Sequence, residues 1–124
     1  MFPFQIGAEH GAQLFVLEHR YYGESQPFPN LKTENLVHLN SEQALADLAG
    51  FLTAQGAGAK KPTIVIGGSY PGALSAWFRT RYPHIALASW SSSGVVQPIV
   101  DFTQFDEQVW TSSVKSGEWC PRMI

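Results

Sequence analysis

The stretch Thr63-Ile-Val-Ile-Gly67-Gly68-Ser69-Tyr70-Pro71-Gly72-Ala-Leu-Ser-Ala76 leaves few folds open to this 124-residue chain. Its first four residues are a short apolar run, the pattern of a strand covered on both faces. From Pro71 to Tyr82 the pattern is helical, opening on a proline whose missing N–H is not needed in a first turn and stopping before Pro83. A strand that passes into a helix this quickly needs a sharp bend. A serine at such a bend holds its hydroxyl out from the C-terminal edge of a sheet, the arrangement called a nucleophile elbow. Gly67 and Gly68 supply the missing side chains on the approach side. The N–H of Tyr70, at the helix start, can donate to the oxyanion that forms when Ser69 attacks a carbonyl. The fit to Gly-x-Ser-x-Gly is imperfect, because Pro71 stands at the last glycine position and Gly72 follows. Pro71 leaves the donor intact, since the donor belongs to Tyr70, and it biases Tyr70 away from helical dihedrals. The plainer reading is a Gly-Gly-Ser loop that only joins strand to helix.

Two further runs, Gln13–Leu17 and Ile85–Trp90, also read as continuous apolar strands. Between the first two strands, Ala44, Leu45, Leu48, Ala49 and Leu52 recur at the spacing of one helical face. Ser41 is a natural N-cap for that helix, with Glu42 in the first turn, and Gly56-Ala-Gly58 ends it. Lys60-Lys61-Pro62 then leads into the next strand. A further helical pattern starts near Pro98, with Ile99, Phe102, Phe105 and Val109 towards one side, and Ser112–Gly117 is polar and turn-like. Strand and helix alternate as in a parallel α/β sheet. Three strands with apolar faces and open edges make an incomplete sheet, so the chain reads as the middle of a larger domain.

Composition removes other classes. A hydrophobic share of 44% and a net charge of −2 exclude general disorder. With no basic cluster beyond Lys60-Lys61, a nucleic-acid or anionic-membrane surface is not expected. No apolar run reaches the ~18 residues of a membrane span, and the first residues lack the basic and apolar regions of a signal peptide. One cysteine and four scattered histidines offer no metal-ligand spacing, and no cofactor is implied. Gly56-Ala-Gly58-Ala-Lys60-Lys61 does not satisfy a phosphate-loop pattern and reads as a turn. Cys120 is either a free thiol or half of a bridge whose partner lies outside the chain.

A second signal, Glu18-His19-Arg20-Tyr21-Tyr22-Gly23-Glu-Ser25, follows the first predicted strand, at the edge where open α/β sheets bind ligands. Glu18 and Arg20 could pair, and Tyr21 and Tyr22 could line a pocket or fill the core; for each, a structural role is the simpler reading. Together with Leu39-Asn-Ser-Glu-Gln-Ala-Leu-Ala-Asp-Leu48 and Gly67–Arg79 followed by Tyr82-Pro-His84, this segment resembles the prolyl carboxypeptidase and dipeptidyl peptidase II family of serine peptidases. The resemblance spans residues 10 to 110 in collinear order.

It implies a partial α/β-hydrolase core of three parallel strands with crossover helices over residues 1–97, and the start of a helical cap over 98–124. It also implies a lysosomal or secreted serine exopeptidase that cleaves beside proline in a peptide, removing either a C-terminal residue or an N-terminal dipeptide. Ser69 matches the family's nucleophile and Tyr70 the neighbouring oxyanion-hole amide. Cap cysteines in the family are usually bridged, which gives Cys120 a partner further along.

The family's acid and base follow the serine in the order Asp, then His. His84 is the one histidine after Ser69, and the helix between them sets it on the order of 20 Å away, too far for a general base. His10, His19 and His38 come before the serine, and Asp101 and Asp106 fall in the presumed cap. The chain therefore reads as a catalytically incomplete fragment. Other α/β-hydrolases (esterase, lipase or proline iminopeptidase) and a non-catalytic interaction domain are the competing readings.

Overall fold

The computed structural model describes residues 2–58 and 61–122, so the Lys60 half of the basic pair lies outside the described residues. The chain divides into two compact units, one ending at Gly94 and the other beginning at Val95.

In the first unit, α1 (Phe2–Glu9) is followed by a long irregular stretch with one 3-10 turn at Thr33–Asn35. Then come α2 (Ser41–Ala54), β1 (Ile64–Gly68), α3 (Tyr70–Arg81) and β2 (Ala88–Ser92). β1 and β2 pair in parallel, in register from Ile64 with Ala88 to Gly68 with Ser92, and α3 is the crossover between them. The core forms where α2 and α3 meet the sheet: Leu45, Ala49 and Leu52 from α2, Val65 from β1, Phe78 from α3, and Ile85 and Ala86 from the turn before β2. Phe78 is fully enclosed, and burial of a side chain of this size stabilises the fold by about 1.5–3 kcal/mol.

Helix ends follow their sequences closely, with one correction. The N-cap of α2 is Asn40, not Ser41: the Asn40 side chain accepts the Gln43 N–H at 2.9 Å, and Ser41 is the first helical residue. At the other end, the N–H of Ala57 reaches the Leu52 carbonyl and that of Gly56 reaches Thr53. This paired closure satisfies the last carbonyls and stops the helix.

Three expectations about strands need correction. Gln13–Leu17 is not a strand, so the described residues contain a two-stranded sheet instead of three strands. A ladder needs a neighbouring backbone about 4.8 Å away, and among the described residues none pairs with this segment. Its side chains pack on helices instead: Phe15 lies edge-on to Phe51 of α2 at 5.2 Å, while Val16 is 83% exposed. The last strand begins at Ala88, three residues later than the apolar run suggests, because Ile85 and Ala86 both donate to the Tyr82 carbonyl and wedge into the core as a turn. Third, β1 is covered on one face: Val65 is buried, and Ile64 and Ile66 on the opposite face are exposed.

The second unit contains α4 (Thr103–Val114) and a 3-10 turn, Cys120–Arg122. The helix starts five residues after Pro98 and runs through Ser112 and Ser113, which the sequence suggests as turn. Asp106, Val109, Trp110 and Ser113 form a shallow groove with Pro121. Cys120 is a free, half-buried thiol, and the Arg122 guanidinium lies 4.9 Å above the Trp119 ring. No helix among the described residues is long and apolar enough to cross a membrane.

Candidate active site

Ser69 sits at the bend between β1 and α3 with φ 59° and ψ −124°. A β-carbon rarely tolerates this conformation, and holding a non-glycine residue there costs of order 1–3 kcal/mol. Surrounding bonds enforce it. The Ser69 N–H donates to the Ser92 carbonyl at 2.9 Å, extending the sheet ladder by one rung, and the Ser69 carbonyl accepts from Ala73 at 3.1 Å as the helix begins. Its side chain caps nothing, and the residue is exposed.

The close approaches around the bend are made by Gly67 and Gly72. A Cβ on Gly67 would overlap the Pro71 carbonyl, and one on Gly72 would lie 2.7 Å from the Ser92 oxygen. Gly68, chosen from sequence as the second approach glycine, has room: its Cβ would meet Ser92 O at an ordinary 3.8 Å. Gly72 was visible in the motif as a displaced glycine, and its role follows from the helix turning its first residues onto the end of β2. The buried Ser75 hydroxyl adds a tie, donating to Gly72 O and Trp90 O.

Tyr70 is the first residue of α3, so its N–H belongs to the turn that has no intrahelical acceptor. It is available beside Ser69. The Tyr70 ring extends towards the Glu18–Ser25 segment.

Within that segment the side chains divide into two sets. Glu18 accepts the N–H groups of Glu24 and Ser25 at 3.0 and 2.9 Å, closing its own loop. Arg20 pairs with Asp47 of α2 and donates to the His38 carbonyl. The Asp47 hydrogen bond, more than burial opposes it, holds the Arg20 guanidinium above its ordinary pKa. Tyr21 is buried at φ 68°, and its hydroxyl donates to Asn35 O at 2.7 Å. These three build the loop, and the Glu18–Arg20 pairing considered from sequence does not form.

His19 and Tyr22 face outward to Tyr70. His19 stacks edge-on with Tyr22 at 5.3 Å, its Nδ1 lies 2.7 Å from Arg20 O, and its Nε2 is 3.5 Å from the Tyr70 hydroxyl. With Leu39, Asn40 and Ser41 they line an open pocket of about 240 Å³.

Among the described residues no hydrogen bond joins a histidine to the Ser69 hydroxyl: His19 meets the Tyr70 hydroxyl instead. The 12-residue α3 separates His84 from the bend by about 18 Å of helix, and His84 packs near Tyr82. His38 stacks on Phe28. Asp101 and Asp106 belong to the other unit. Among the described residues no group of three His, Cys, Asp or Glu side chains could hold a metal ion.

A strained serine thus stands exposed between a parallel strand and its crossover helix, flanked by an unclaimed N–H. The family model of serine carboxypeptidase S28 matches residues 2–124, and the chain belongs to that family. It is 47% identical over 88% of its length to "Probable serine protease EDA2" of Arabidopsis thaliana, covering 24% of that protein. It is 45% identical over 82% of its length to "Putative serine protease F56F10.1" of Caenorhabditis elegans, covering 19% of it. With human lysosomal Pro-X carboxypeptidase the identity is 40% over 99% of the chain, covering 27% of the relative. The chain thus spans about a quarter of the length of the curated relatives it matches.

Proposed function

We propose that this chain carries the nucleophile and one oxyanion donor of a serine exopeptidase acting on peptides with proline near the scissile bond, as a Pro-X carboxypeptidase or a dipeptidyl peptidase. The reading is supported above all by the backbone of Ser69, held exposed at φ 59° by the strand on one side and the helix on the other. Resemblance to lysosomal Pro-X carboxypeptidase supplies the proline preference and a lysosomal or secreted setting.

In this mechanism Ser69 Oγ attacks the peptide carbonyl carbon. The carbonyl oxygen takes the negative charge, and the Tyr70 N–H donates to it. The serine proton passes to a histidine oriented by an aspartate, both contributed from outside the Ser69 neighbourhood. That histidine then protonates the leaving amine, and water releases the acyl group. Residues 1–97 belong to the core and 98–124 begin the helical cap. That no hydrogen bond joins a histidine to Ser69 among the described residues favours a second reading, an α/β interaction domain that keeps the bend as scaffold.

The test is a chimera in which residues 2–124 replace the matching segment of human lysosomal Pro-X carboxypeptidase. It is expected to hydrolyse a peptide with penultimate proline, and S69A is expected to lower turnover by at least about 10³-fold. A folded, inert chimera, or an S69A chimera that keeps its turnover, would overturn the assignment. The 124-residue chain alone is expected to react with a fluorophosphonate probe at least about 100-fold more slowly than the chimera, because general base catalysis is missing.

A further inference from the structure

We propose that Ser41 and His19 are positioning residues that hold Tyr70, and through it the donor N–H beside Ser69, by gripping the Tyr70 hydroxyl. The proposal rests on the reading of Ser69 and Tyr70 given above.

Serine is a common helix cap, yet Asn40 caps α2, and the Ser41 hydroxyl is directed elsewhere. It lies 3.0 Å from the Tyr70 hydroxyl, across 29 residues of sequence. His19 Nε2 stands 3.5 Å from the same oxygen, at the long end of hydrogen-bond range.

The direction of the chain of bonds follows from its far end. A backbone carbonyl can only accept, so the 2.7 Å contact between His19 Nδ1 and Arg20 O places the imidazole proton on Nδ1. In the neutral imidazole Nε2 is then an acceptor. Tyr70 donates to it, and Ser41 donates to Tyr70. Every hydroxyl in the chain has one proton to give and uses it.

The ring so held belongs to a residue with little other support. Tyr70 is 41% exposed, and the residue that follows it is a proline without an N–H. Its amide is at the first position of α3, where no helical bond fixes it. A tether at the hydroxyl restrains the ring torsions and ties the Tyr70 Cα, beside which the donor N–H stands, to α2 and to the Glu18–Ser25 loop. The other side chains of the Glu18–Ser25 loop serve the same end: Glu18, Arg20 and Tyr21 shape the segment that presents His19.

The experiment uses the 124-residue chain, labelled with ¹⁵N and ¹³C, and reads the χ1 couplings of residue 70 and its backbone amide shift. The wild type is expected to show one Tyr70 rotamer and an Nδ1-protonated His19. Ser41→Ala is expected to give an averaged rotamer and a displaced amide resonance, and Ser41→Thr to restore both. Tyr70→Phe is expected to average the ring and to abolish any further effect of Ser41→Ala. His19→Gln is expected to loosen the ring less than Ser41→Ala, as its longer contact requires. A Tyr70 rotamer and amide shift indifferent to Ser41→Ala would overturn the proposal. So would a wild-type spectrum without a dispersed Tyr70 resonance, because the tether is built from this chain's own residues. Ser69→Ala is expected to leave the tether intact, so failure of the nucleophile assignment and failure of the tether are read separately.

Discussion

Arg20 grips Asp47 through two nitrogens, Nε at 2.6 Å and Nη2 at 2.7 Å, tying the Glu18–Ser25 loop to α2 across 27 residues of sequence. The forked geometry favours arginine over lysine. Asp47 is 41% exposed, so solvent screens the charge, and Asp47→Asn or Arg20→Lys is expected to lose about 1 kcal/mol. Urea midpoints of the chain at low and high salt check this, with the loss shrinking as salt rises. Because its folded pKa is raised, Arg20 contributes stability below its unfolded pKa and loses it only as pH rises through the folded value. That window is strongly alkaline, so the pair adds no pH dependence near neutrality.

Replacing Ser69 by glycine is expected to stabilise the chain by about 1–2 kcal/mol while removing the hydroxyl, since glycine adopts positive φ without strain. Ser69→Ala removes the hydroxyl and keeps the strain, so its melting temperature is expected to stay near the wild-type value. Thermal unfolding of the three proteins side by side makes the comparison. Equal melting temperatures for glycine and alanine would show that the bend carries no strain.

Gly67 and Gly68 are expected to respond to very different degrees. Gly67→Ala drives a methyl into the Pro71 carbonyl, which is backbone and cannot yield, and a loss above about 3 kcal/mol is expected. Gly68→Ala meets ordinary contact and is expected to stay within about 1 kcal/mol of wild type. Soluble yield and denaturation midpoints of both variants read the difference.

Phe78→Ala removes the fully enclosed ring of the core and is expected to lose about 3–5 kcal/mol. Val16→Ala, at 83% exposure, is expected to change stability by less than about 0.5 kcal/mol. Were Val16 part of a buried strand, as its apolar run suggests, the loss would be several times larger; differential scanning calorimetry distinguishes the two.

Local signals in the sequence carried much of this structure. The strand, the bend at Ser69 and the helix after it are encoded within a dozen adjacent residues, and the apolar stripe of α2 places Leu45, Ala49 and Leu52 in the core. What depends on distant backbone was not legible. Gln13–Leu17 has the composition of a strand, but pairing is set by neighbours that composition does not report. Ser41 and Asn40 are both good caps, and only the position of Tyr70 shows why the serine hydroxyl is used elsewhere. Gly72 matters through Ser92, which lies 20 positions away in sequence. In the Glu18–Ser25 motif the sequence leaves ion pairing, pocket lining and core filling open. The division into loop builders and pocket walls appears once Asp47, Asn35 and Tyr70 are in place.

The bond from Ser69 N–H to Ser92 O has a consequence for how such a chain can vary. It continues the regular pairing of β1 with β2, so the Ser69 hydroxyl takes its location from the alignment of two ordinary strands. Surrounding loops can lengthen or drift without moving it. A slip of one position between those strands would carry the hydroxyl off by a full residue, so fidelity of alignment, more than the chemistry of any neighbour, is what keeps position 69 in place.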